Sequence, residues 1–134
     1  MMSEVKIGYK IVGVKDGIYF SIGRGAALHD NDYVIYNKNQ KTFPIDGNGP
    51  LCVFNKRENA FGAIKNLAYN KAGAPFSIFR CWYSQSSIDR IWIYPCATIS
   101  TNHIIKSYPG TRLADWVQLY DEVHHGTFPE PSEW

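Results

Sequence analysis

The chain has 134 residues, 45% of them hydrophobic and 19% charged, with 14 basic against 12 acidic side chains and a formal net charge of +2. That is long enough for one folded domain and too apolar for a disordered segment. The near-balance of charge, spread without a block of either sign, does not imply a nucleic-acid surface.

Three cysteines, Cys52, Cys81 and Cys96, include no close pair, so spacing points to thiols in a reducing compartment rather than a disulfide framework. The opening MMSEVKIGYK is too polar for a secretion leader, and no apolar run approaches the roughly 18 residues of a membrane span. A soluble, cytoplasmic protein is the expectation. The unusual figure is 15% aromatic: nine Tyr, seven Phe and four Trp are more rings than a domain of this size encloses. Some of them belong at the surface.

In chain order, residues 9–14 read as a strand, and Asp16-Gly17 ahead of Ile18-Tyr19-Phe20 reads as the tight turn of an antiparallel hairpin. Gly23-Arg24-Gly25 breaks the pattern before a third strand over 33–36. A polar turn at 37–41 and an irregular stretch from Pro44 to Pro50 follow. The wholly apolar Leu51-Cys52-Val53-Phe54 suits a short buried strand. One principal helix is expected over about 56–70, with Asn55 and Glu58 forming a capping box and with Ala60, Phe61, Ile64, Leu67 and Ala68 on one apolar stripe. Gly73 is placed to end it in the left-handed conformation.

The stretch FSIFRCWYSQSSIDRIWIYPCATI, residues 76–99, reads as a hairpin of two aromatic-rich strands, 77–83 and 90–94, around a polar loop. Alternation sets Ile78, Arg80 and Trp82 on one side and Phe79, Cys81 and Tyr83 on the other. Both sides carry large apolar groups, which predicts a sheet covered on one face by the helix and on the other by chain or a partner. Short strands are expected at 97–99 and 103–106, and a longer one is favoured over 113–123, where Leu113, Val117 and Tyr120 would also fit one helical face. A short N-terminal stretch and a tail over about 126–134 are expected to be flexible. The fold class is α+β: a single domain over residues 1–134, mainly antiparallel sheet packed on one helix.

Candidate chemistry is sparse. Gly23, Arg24 and Gly25 after a strand invite an anion cradle, but a dinucleotide fingerprint needs glycine where Leu28 stands. The segment Asp16-Gly17-Ile18-Tyr19-Phe20-Ser21 looks like a local stretch of the poly-ADP-ribose type of ADP-ribosyltransferases. That resemblance implies nicotinamide stacking on Tyr19 with Ser21 lining the pocket, while the family's earlier His-Gly pair has no counterpart before Gly17. His29, His103, His124 and His125 show no paired metal-ligand spacing with one another or with the cysteines, so neither a metal nor a cofactor is expected. Arg80, Trp82, Arg90, Trp92 and Trp116 are residue types that carry interface energy, and they form the expected interaction surface.

Across residues 9–123, Tyr9-Lys10-Ile11-Val12, Leu51-Cys52-Val53-Phe54 before Ala60 and Phe61, Phe79-Arg80-Cys81, and Gly110-Thr111-Arg112-Leu113-Ala114-Asp115 form a cadence. It resembles small uncharacterised α+β domains of phage and large-virus proteins. The resemblance implies a viral or host-interaction setting, with host cytoplasm as the compartment, and carries no activity. The expectation is a non-enzymatic module that contacts a protein partner or a second copy of itself. The alternatives are a nucleotide- or NAD-binding transferase-like domain at Gly23-Arg24-Gly25 and single-stranded nucleic-acid binding.

Overall fold

The computed structural model describes residues 4–21, 34–44, 50–71, 73–88, 90–91, 99–100 and 108–129. Its organising pieces are three long strands, β1 (Val5–Lys15), β6 (Pro75–Gln85) and β9 (Thr111–Thr127). Between them in sequence lie β2 (Ile18–Ser21), β3 (Ile35–Tyr36), β4 (Lys41–Thr42), β5 (Leu51–Phe54), helix α1 (Arg57–Lys71), β7 (Arg90–Ile91) and β8 (Ile99–Ser100). Among the described residues the structure is therefore mostly antiparallel sheet with one helix, consistent with the α+β class. Among the described residues no helix is long and apolar enough to cross a membrane.

The β1–β2 hairpin forms where Asp16-Gly17 predicts it. Asp16 and Gly17 both have positive φ, 52° and 77°, the backbone that matches the twist of the flanking strands and that glycine adopts without a Cβ penalty. Lys15 then faces Ile18 and Val12 faces Ser21, while β3 continues the sheet with Tyr36 opposite Tyr19.

The main sheet has seven strands, and its pairings close a ring. β1 runs against β6 from Val5↔Ser84 to Gly13↔Phe76, and β6 runs against β9 from Pro75↔Thr127 to Gln85↔Ala114. β9 holds β5 through Leu51↔Ala114 to Phe54↔Thr111, and β5 returns to β1 at Tyr9↔Phe54. β2 and β3 extend from the second half of β1, and β4 lies on β9 at Val117 and Gln118. Because both of its edges are paired, β6 has no free side to offer β7, so the hairpin expected between 77–83 and 90–94 does not form. β7 instead pairs with β8 in a separate two-stranded ribbon.

Ring closure sends alternate residues of each long strand to two different cores. Val12, Tyr36, Leu51, Val53, Phe79, Cys81, Tyr83, Ala114, Val117 and Leu119 fill the inside of the ring. Ile11, Phe76, Ile78 and Phe128 lie on its outside, under Ala60 and Ala63 of α1, with Phe54, Phe61 and Ile64 at the margin. The helix thus covers one side of the sheet, and the second side is covered by the sheet's own curl.

The helix begins differently from its sequence signature. The Lys56 carbonyl accepts from the amides of Asn59 and Ala60, at 3.2 and 3.3 Å, which puts Lys56 in the capping position. Asn55 is drawn away: its amide donates to the Gly110 carbonyl at 2.9 Å, and its Oδ1 accepts from Asn59 Nδ2 at 3.1 Å. Beyond the helix, Gly73 is left-handed as expected, with φ 79°. Its amide donates to the Phe128 carbonyl, and the Phe128 amide donates to Ala74, each at 2.9 Å. The C-terminal stretch is consequently tied down further than its composition suggests: Gly126 and Thr127 complete β9 and Phe128 is buried. Residues 130–134, together with the strand expected at 103–106, lie outside the described residues.

Two glycines yield opposite expectations. A Cβ on Gly8 would stand 2.8 Å from the Tyr83 ring and 2.9 Å from the Phe54 carbonyl oxygen. The ring can turn, but the carbonyl moves only with β5. Gly8→Ala should therefore cost about 1–3 kcal/mol, read as a lower urea midpoint at unchanged slope. A Cβ on Gly62, exposed on α1, meets nothing within 4 Å, so Gly62→Ala should stabilise by up to about 1 kcal/mol in the same titration.

Candidate functional site

The ring arrangement leaves two places where side chains are set out in ways the fold does not need. The first is the outer face of β1, β6 and β9 beyond the reach of α1. Ile7 pairs with Trp82, and Trp82 pairs with Gln118, so the three strands lay these side chains side by side. Ile7 and Trp82 are exposed by 49% and 38%. The Trp82 ring stacks on Tyr120, with centroids 5.3 Å apart and planes 27° from parallel.

A register shift in the β6–β9 ladder between Arg80 and Cys81 places Arg80 opposite Asp121, with Nη2 3.7 Å from Oδ2. Both groups are solvated, so the ion pair contributes little to stability. The Tyr120 hydroxyl and then Asp121 outweigh desolvation and raise the Arg80 pKa, keeping it a cation. An apolar strip flanked by a cation and an anion results.

The second place lies inside the ring. Lys10 is on the inward side of β1, between Gly8 and Val12, and is only 9% exposed. Its Nζ donates to the Cys52 carbonyl at 2.6 Å and lies 5.4 Å from the centroid of the Tyr36 ring. Tyr36 is buried, and its hydroxyl interacts with the Lys10 ammonium. Burial works to lower the Lys10 pKa, but Tyr36 first and then Cys52 and Cys81 raise it by more. Burial in turn pushes the Tyr36 phenol up, which keeps it protonated.

The residues singled out in the sequence are distributed unevenly over these places. Arg80 and Trp82 stand together on the outer face. Trp116 pairs with Ser84 further along β9, where the Lys41 ammonium lies 4.4 Å over its ring. Arg90 is in β7, away from the main sheet in pairing, and Trp92 lies outside the described residues. Tyr19 is half-buried, edge-on to Phe79 with centroids 4.9 Å apart, so its ring serves the interior core. Ser21 Oγ accepts from the Val34 amide at 3.0 Å and thereby fastens β2 to the residue before β3. Gly23, Arg24 and Gly25 lie outside the described residues.

One cluster of nucleophilic appearance is structural in its geometry. Ser77 Oγ is fully buried, 3.3 Å from Glu122 Oε2 and 3.0 Å from His125 Nδ1. Ser77 Oγ donates to the Glu122 carboxylate, and its contact with His125 Nδ1 takes its direction from the imidazole tautomer. His124 projects to the opposite side and lies against Phe61 and Phe76, at 5.1 and 5.6 Å between centroids. Among the described residues no group of three His, Cys, Asp or Glu is placed to hold a metal ion.

Ile7, Tyr120 and Asp121 were not among the sequence candidates because their neighbours are set by strand pairing and by a bulge. Lys10 did leave a trace: it is the lone charge in the inward-facing series Gly8, Lys10, Val12. No protein-family model matches the chain, and comparisons with curated proteins and with solved structures also find no match.

The interior also sets an alkaline limit. Cys81 is fully buried, and burial pushes its thiol from 9.0 up to about 12 against smaller opposing effects of Lys10 and the Gly8 amide. Iodoacetamide at pH 8 should leave Cys81 unmodified in the native protein and alkylate it once urea unfolds the chain. Above pH 9 the unfolded thiol releases a proton that the native one keeps, so stability falls as pH rises toward 12. This group alone contributes a loss of at most about 1.4 kcal/mol per pH unit, measurable as a declining urea midpoint.

Proposed function

We propose that the protein is a non-enzymatic interaction module that docks another protein surface through the outer face bearing Ile7, Trp82, Tyr120, Arg80 and Asp121. The observation that carries this reading is Trp82: a tryptophan 38% exposed, stacked on Tyr120 and next to a half-exposed Ile7, is an anchor already fixed in position. Holding the ring in place before binding reduces the entropy lost on association.

The occupant that fits best is a second copy of the chain. Arg80 and Asp121 stand side by side at the strip, 41% and 51% exposed. A two-fold rotation turns such a patch into its own complement, cation over anion and apolar strip over apolar strip. The transferase alternative draws less support, since Tyr19 packs on Phe79 and the Ser21 hydroxyl is engaged by Val34.

Sedimentation equilibrium should show a monomer–dimer equilibrium, and Trp82→Ala should weaken it by roughly thirtyfold, the effect of losing about 2 kcal/mol at an interface anchor. Arg80→Asp should weaken dimers, and the double variant Arg80→Asp, Asp121→Arg should restore them. A wild-type protein that stays monomeric at about 100 μM, where specific homodimers are populated, rules out the second copy. A dimer indifferent to Trp82 rules out this face.

A further inference from the structure

No further inference is drawn: the strongest candidate, the surface patch beside β4 where Lys41 lies over the Trp116 ring and Phe43 is exposed, continues the outer face already described, and nothing in the structure shows what covers it.

Discussion

β6 must satisfy two neighbours and two cores at once, and most of the structure follows from that constraint. Its backbone is paired on one edge to β1 and on the other to β9, so each residue from 76 to 84 is fixed in register twice. Its side chains then have no choice of direction. Phe79, Cys81 and Tyr83 go inward, and Ile78 goes under the helix. A slip by one residue would exchange these sets and bring Arg80 and Trp82 into the interior. The strand is thereby the most strongly specified element in the chain, and Trp82 inherits its fixed position from that specification.

The match between the three long strands is not uniform. The β6–β9 ladder shifts register at three places, between Ile78 and Phe79, between Arg80 and Cys81, and between Ser84 and Gln85. Each irregularity increases local twist, and a ring of four strands needs that twist to close on itself. The shift at Arg80 also brings Asp121 opposite it and lets Tyr120 stack on Trp82. Closure and the outer face thus share a cause. The ring is joined least firmly at Tyr9↔Phe54, where β1 divides its second edge between β5 and β2.

Local features were legible in the sequence where a short segment decides the matter. Asp16-Gly17 announced the first hairpin, Gly73 the end of the helix, and Leu51-Cys52-Val53-Phe54 a strand whose bounds the structure repeats. Pairing over long separations was not legible. Residues 77–83 and 90–94 are near in sequence and similar in composition, which suggested a hairpin, yet β6 pairs along nearly its whole length with β1 on one edge and β9 on the other. The Asn55 cap failed for a related reason, since its amide is claimed by the Gly110 carbonyl from 55 residues away. Trp82 could be picked out by type, but Ile7 and Tyr120 join it only through cross-strand register. Lys10 and Tyr36 come together only through the fold.

The separation between paired strands has a consequence for synthesis. β1 leaves the ribosome well before β6, and β9 comes later still, so the first strand of the ring waits for partners some 70 positions downstream, from Tyr9 to Arg80. During that interval the β1–β2 hairpin is the main pairing available to it, and Ile11 and Val12, buried in the finished fold, remain without cover. Loops of such length close slowly, and an aliphatic strand left uncovered meanwhile is a ready client for holdase chaperones.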